Sequence, residues 1–427
     1  MSTKKPSAKK NVAQQIHLRM YNVGFGDCFL LRIPTEDGER RMLIDCGYHS
    51  QGKGSFSDVE LVTQIKDDLA NDPLDVVVAT HRHQDHISGF GEKELWKDIK
   101  VEEVWLPFTA DPMAANDEPA LRAWQGLMEA AHGLWDDQGQ LKAAAVSALS
   151  ARDPEEQRAA EFMLWNARAN APGIESLLTG MKRGDGRPSL RRFLPEDRKS
   201  YPTQFTTPAL PGVKVHVLGP PADPAFRKNK KVPESWAFGD GMGTAGDSIE
   251  SVFPAEWRVP AERLPSRKPF TDTTLQGIRL FNDDLLYAAK ALEGFLNGES
   301  LVLVLEIGRA RLLLPGDAEV GTWMTILDNE DALTMASSAT FVKVGHHGSH
   351  NATPIVFVRE HLAKAVPAVI STQEGEGKFR NGIPLQELLD AMIERGMPFV
   401  RSDAPAAIED LCEPSPDGKW VDCVIPC

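Results

Sequence analysis

Three histidines and one aspartate fall within six residues at His81-Arg82-His83-Gln84-Asp85-His86, directly after the apolar stretch 74–79. The chain holds 11 histidines in 427 residues, so this HxHxDH arrangement arises by chance on the order of once in two thousand sequences of such composition. Residues 74–79 are apolar except at Asp75 and have the length of a strand. A strand apolar on both sides is one whose two faces are both covered. The pattern therefore calls for a layered α/β architecture in which a buried strand delivers imidazoles and a carboxylate to the edge of a sheet. Neutral imidazole and carboxylate together suit zinc, manganese or iron. The alternate spacing lets His81 and His83 face one ion while Asp85 and His86 turn toward a second. Two ions about 3.5–4 Å apart can activate water and stabilise a developing oxyanion.

Around this run the chain alternates strands and helices. Residues 15–20, 27–33 and 41–45 read as three strands joined by tight turns at Gly24, Gly26 and 35–38. Residues 57–71 carry helical spacing at Val59, Leu61, Val62, Ile65 and Leu69, closed by Pro73. Further strands are predicted over 101–106, 213–218, 339–344 and 368–371, a hairpin over 301–314 around Gly308, and helices over 320–328 and 384–395. Between them, 107–211 turns rich in Ala, Glu, Arg and Leu and reads as a helical insertion, with helices over 119–134, 140–149 and 154–169. Residues 222–273, rich in Pro, Gly, Lys and Trp, are too long for a plain connection and read as a lid or partner surface. Trp236, Phe238, Phe253 and Trp257 would form that lid or anchor the insertion locally. The basic run at Arg227-Lys228-Asn229-Lys230-Lys231 reads as a solvated loop or a contact to a phosphate backbone. His132 and His216 read as structural.

Composition excludes several classes. No run of about 18 apolar residues exists to span a bilayer. The basic first 15 residues read as a disordered tail without the apolar segment of a secretory signal. A cytoplasmic location without membrane attachment is expected. Cys28, Cys46, Cys412, Cys423 and Cys427 are odd in number and form no CxxC pair, so free thiols are expected. With 47 basic against 61 acidic side chains the formal charge is −14, which disfavours wrapping a duplex. Metal ions can still supply local positive charge for a nucleic-acid or nucleotide substrate.

Two more segments end strands in metal-capable residues: Leu314-Pro315-Gly316-Asp317 and Lys343-Val344-Gly345-His346-His347-Gly348-Ser349. Together with Asn22-Val23-Gly24-Phe25-Gly26-Asp27, Leu43-Ile44-Asp45-Cys46-Gly47 and the HxHxDH run, they make the chain resemble the metallo-β-lactamase-fold superfamily, and within it the competence-type (ComEC-like) branch. The resemblance covers roughly 16–104 and 280–400.

The resemblance implies one domain over 16–427, an αββα sandwich of two mixed sheets with helices outside, interrupted by the insertions 107–211 and 222–273. It implies that His81 and His83 hold one divalent ion, zinc or manganese, that Asp85, His86 and His346 hold a second, and that Asp317 bridges them. Asp45 matches the acid that hydrogen-bonds a ligand imidazole. His347 and Ser349 would contact substrate, protonate a leaving group or support their neighbours, and Asp85 and His347 are the residues expected to handle a proton. Two positions depart from the pattern. The turn at 296–300, Leu-Asn-Gly-Glu-Ser, lacks the histidine many members carry, and Ile383 stands where the branch often has another. The function expected is metal-dependent hydrolysis, with a phosphodiester as substrate. A small ester, lactone or thioester, or a partner-binding protein with a structural metal, are the alternatives. The insertions are where a protein partner would bind.

Overall fold

In the computed structural model, residues 15–49, 54–114, 118, 121, 171–227, 294–374 and 383–427 are described. The strands are β1 (Gln15–Tyr21), β2 (Cys28–Thr35), β3 (Gly38–Cys46), β4 (Leu74–Val78), β5 (Val101–Pro107), β6 (Leu190–Leu194), β7 (Thr203–Phe205) and β8 (Val213–Gly219). They continue with β9 (Val302–Ile307), β10 (Ala310–Leu314), β11 (Phe341–Lys343), β12 (Ala368–Ile370), β13 (Phe399–Arg401), β14 (Cys412–Pro414) and β15 (Trp420–Pro426). The helices that matter below are α1 (Asp58–Leu69), α2 (Gln84–Ile87), α3 (Val320–Leu327), α4 (Glu330–Ser337) and α5 (Gln386–Glu394).

The strands form two mixed sheets, β14-β15-β1-β2-β3-β4-β5-β6 and β13-β12-β11-β10-β9-β8-β7. The first runs antiparallel as far as β3 and parallel from β3 to β6. The second is parallel from β13 to β10 and antiparallel onward. Period-two alternation decides which side chains meet. Leu303, Leu305 and Ile307 of β9 join Ile16, Leu18, Met42, Ile44, Val76 and Val78 between the sheets. Val302 and Val304 turn outward to pack with Trp323 and Ile326 of α3. Leu61, Val62, Ile65 and Leu69 of α1 cover the other outer face against Leu43 and Val77. The αββα sandwich expected from the sequence is thus the fold, and β4 is buried along its whole length because it lies between two covered faces.

Local chemistry sets the element ends. Ser57 accepts from the backbone N–H of Glu60 at 3.3 Å while Glu60 accepts from that of Ser57 at 2.9 Å, a capping box that starts α1. Gly308 turns the β9–β10 hairpin with φ +59.

Two expectations need correction, and others fall outside the described residues. Residues 107–211 are not helical throughout, since β6 and β7 lie inside that span and extend one edge of each sheet. The sequence Leu-Arg-Arg-Phe-Leu hides β6 because an edge strand tolerates charge, and Arg192 is spent on Glu103 at 2.9 Å. Cys412 and Cys423 are not free thiols: they sit opposite each other on β14 and β15 and are disulfide-bonded. Cys28 and Cys46 are buried and form no disulfide. The predicted helices over 119–169 except residue 121, the tail 1–14, most of the basic run and the aromatic stretch 236–257 lie outside the described residues. No helix among the described residues is long and apolar enough to cross a membrane.

Two predictions test this packing. Leu312, fully buried between the sheets on the strand that leads to Asp317, should cost about 2–5 kcal/mol when changed to Ala. Ile393→Ala on an exposed face should cost under about 0.5 kcal/mol. Urea titrations giving equal losses would contradict the assignment of Leu312 to the core. The second concerns Asp58, whose carboxyl is pushed up to about 6 by burial, against a hydrogen bond from Ser88 that favours the charged form. A folded-state value above the unfolded one means the folded chain binds the proton more tightly. The associated stability is present below about pH 4 and lost as pH rises through about 6. The stability of Asp58→Asn relative to the native protein should therefore rise between pH 4.5 and 7.5, and a pH-independent difference in urea midpoint would contradict it.

Candidate metal centre

The carboxyl-terminal ends of the parallel strands in both sheets open on one edge, and the polar groups collect there. Asp45 closes β3, His81 and His83 lie in the loop after β4, and Asp85 and His86 sit on α2. From the second sheet come Asp317 after β10 and His346 and His347 after β11. All but His346 are buried below a tenth of their surface. Gly47 makes the convergence possible: a side chain there would meet the backbone of Asp85 and His86 at 2.6 Å, so only glycine lets α2 sit against the end of β3.

Hydrogen bonds fix the tautomers. Asp45 accepts from the Thr80 N–H and hydroxyl, each at 2.7 Å, and faces His86 Nδ1 at 2.7 Å. Because the Thr80 hydroxyl spends its proton on Asp45, its oxygen accepts from His81 Nδ1 at 3.1 Å. His347 Nδ1 donates to the Ser371 carbonyl at 2.9 Å, since a carbonyl can only accept. Ser349 donates to Asn351 at 2.8 Å and therefore accepts from His346 Nδ1 at 2.9 Å. Four imidazoles thus have Nδ1 anchored by protein acceptors, which leaves Nε2 as the outward group of His86, His346 and His347. His86 Nε2 lies 3.1 Å from Asp317 Oδ2, and His347 Nε2 lies 3.6 Å from both Asp317 Oδ2 and Asp85 Oδ2. His346 Nε2 is 3.9 Å from Asp317 Oδ2. His83 differs: its Nδ1 donates to His81 Nε2 at 2.8 Å, and its Nε2 is buried with no hydrogen-bond partner.

The electrostatics are those of a cation site. Burial lowers His81 well below its usual range and His83 and His346 to about 4, so these rings are neutral. For His86 and His347 burial also opposes the charge, but neighbouring carboxylates, Asp317 foremost, outweigh it and raise both. Burial likewise opposes ionisation of Asp85 and Asp317, yet His86 holds both below the ordinary carboxylate range. Asp45 is raised, chiefly by burial. Asp45, His346 and His347 adopt left-handed φ of 55, 44 and 55 degrees; such conformations cost about 1–3 kcal/mol each and cluster at functional sites.

The residues fit divalent metal. Ligand atoms of His81, His86 and Asp317 and of Asp85, His86 and His347 each lie within 4.8 Å of one another, and the orphaned Nε2 of His83 is an acceptor that a cation would satisfy. Every position singled out for metal, His81, His83, Asp85, His86, Asp317 and His346, is brought to this edge. Within it His347 belongs to a compact group and His346 stands farther out, the reverse of their expected weights. At the departing turn, Asn297 donates to Glu319 at 2.8 Å, and Arg82 forms a two-pronged ion pair with Glu299. Ile383 is buried beside the His346–Ser349 loop, whose Gly348 carbonyl accepts from Leu385 at 2.9 Å. Asp27 and Lys343 were given no role from sequence, although both are buried in the centre.

Residues 21–125 match the family model of the metallo-beta-lactamase superfamily. That span carries Asp27, Asp45 and the whole HxHxDH run. The metallo-beta-lactamase fold protein YhfI from Bacillus subtilis aligns over 92% of this chain and 98% of its own, at 8% identity and a TM-score of 0.35. No curated protein matches the chain.

Asp45→Asn tests the anchoring. Asparagine tolerates the left-handed backbone, so the fold should survive, but the anionic partner of His86 is gone. Metal affinity should fall about 10–100-fold, read by competition with a chromophoric chelator, and unchanged affinity would remove Asp45 from this role.

Proposed function

We propose that the chain is a metal-dependent hydrolase of phosphodiesters, acting on nucleic acid or a nucleotide, with two divalent ions, zinc or manganese, at this centre. The observation that carries the proposal is the set of three imidazoles, His86, His346 and His347, whose Nδ1 atoms are anchored while Nε2 faces Asp317. This is how proteins orient histidines for metal, and the superfamily match over 21–125 supports the same reading. Bound ions would acidify water and neutralise a developing oxyanion.

The chain's own residues orient and move protons. Asp45 and Thr80 hold His86 and His81. His83 would complete the first ligand pair with His81, and His346 would join Asp85 and His86 in the second. Asp317 presents Oδ2 to three imidazoles and would be the residue shared by the two ions. Asp85 and His347, 3.6 Å apart, are the pair placed to pass a proton to a leaving oxygen. The phosphodiester assignment draws on the resemblance of the Gly345–Ser349 segment to the competence-type branch and on the demand of this edge for positive charge. A surface of net charge −14 offers phosphate no general attraction, so substrate would be drawn by the ions, by the basic run near Arg227 or by a partner bound to the insertions. We place the activity in the cytoplasm.

A screen of DNA, RNA and cyclic dinucleotides with Mn, Zn and Mg should show hydrolysis that Asp85→Ala and His86→Ala each reduce by about 100-fold or more. Metal analysis of the same proteins should show both variants losing metal. Folded variants that keep native metal content and native rates would end the proposal. Turnover confined to esters, lactones or thioesters would reassign the substrate, and metal without any turnover would favour a structural centre in a partner-binding protein.

A further inference from the structure

Lys343 is a buried cation that the hydrolytic reading leaves unused. It ends β11 with 3% of its surface exposed, and Asp27, after β1 in the other sheet, has 1%. Its ammonium is in direct ion-pair contact with Asp27 Oδ2, donates to the Gly316 carbonyl at 3.2 Å, and lies 3.5 Å from Asp317 Oδ1. Taking an ammonium out of water is costly unless it is paired, and an apolar residue of similar length commonly packs such a position as well or better. A lysine here therefore asks for a reason beyond packing.

The two oxygens of Asp317 are divided. Oδ2 faces the Nε2 atoms of His86, His347 and His346 at 3.1, 3.6 and 3.9 Å. Oδ1 faces Lys343. The peptide before Asp317 is gripped as well, through the Gly316 carbonyl, in a turn where Gly316 has φ +54. On the other side the Asp317 N–H donates to Ser300 at 3.2 Å. Asp27 in turn fixes the lysine, and Asp27 itself is set by its backbone N–H, which donates to the Asp85 carbonyl at 3.0 Å.

We propose that Lys343, tethered by Asp27, is a positioning residue that occupies Oδ1 of Asp317, so that Asp317 offers metal the single oxygen Oδ2. Asp27 and Lys343 thereby link the two sheets at the centre and fix the orientation of the Asp317 carboxylate. Coulomb's law supplies a discriminating sign. A positive charge removed from beside a metal should tighten cation binding if charge were its only effect. A positioning role predicts the opposite.

This inference rests on the metal-binding part of the proposal above. The experiment loads native protein, Lys343→Met and Asp27→Asn with cobalt(II) and zinc, and reads metal affinity by chelator competition and the cobalt visible spectrum of folded protein. Lys343→Met should bind about tenfold or more weakly with an altered cobalt spectrum, and Asp27→Asn should shift in the same direction by less. A loss of thermal stability alone would move neither readout. Native-like or tighter binding with an unchanged spectrum in Lys343→Met, or in Asp27→Asn should the lysine variant not fold, overturns the role of Lys343 and leaves the metal centre standing. Native protein that binds neither metal overturns both.

Discussion

His86 hydrogen-bonds Asp45 of the first sheet through Nδ1 and faces Asp317 of the second through Nε2, and the arrangement of the centre follows from that line. It crosses the seam between the sheets at the one edge where the parallel strands of both end. Because all three groups are buried, a mispositioned ring would strand a carboxylate without a partner, a loss of several kcal/mol. The sandwich core and the polar edge are therefore not independent. The apolar alternation of β3, β4, β9 and β10 sets the separation of the sheets, and that separation sets whether one imidazole can span it.

The remaining rings are held by the same device with different acceptors: a hydroxyl whose proton is already committed for His81 and His346, a backbone carbonyl for His347. Each acceptor belongs to a rigid strand end or a tight turn. This is why the left-handed backbone at Asp45, His346 and His347 persists. Such strain survives only where the surroundings over-determine it, and here burial and the hydrogen bonds of Asp45 and of the two Nδ1 atoms do so.

Legibility in the sequence followed locality. Residues 74–86 could be read because strand and ligands are contiguous, and β9, β10 and α1 because their periodicity is clean over a full element. Asp317, His346 and His347 were recognisable as strand ends, but which histidine stands closer to Asp85 depends on a turn with two consecutive left-handed residues, which no spacing rule encodes. Lys343 read as one residue of a strand and Asp27 as one of a loop; their pairing exists only once two sheets are stacked. The Cys412–Cys423 pair escaped for a related reason, since an odd, irregularly spaced set of cysteines carries no sign of a cross-strand register. β6 escaped because its arginines broke the apolar pattern while serving Glu103 in three dimensions.

The charge inventory gives this edge its character. Asp27, Asp45, Asp85 and Asp317 are buried together, and Lys343 is the buried lysine among them. One ammonium cannot balance four carboxylates, so the rest falls to ring protons on His86 and His347 or to added cations. Divalent ions and ring protons are then alternatives for the same carboxylates. A chain of net charge −14 that concentrates acid at a site for anionic substrate would repel it, unless cations first reverse the local sign. The acidity of the protein and the chemistry proposed for it are compatible only through that reversal, by which the buried carboxylates would be the source of any phosphate affinity and not its obstacle.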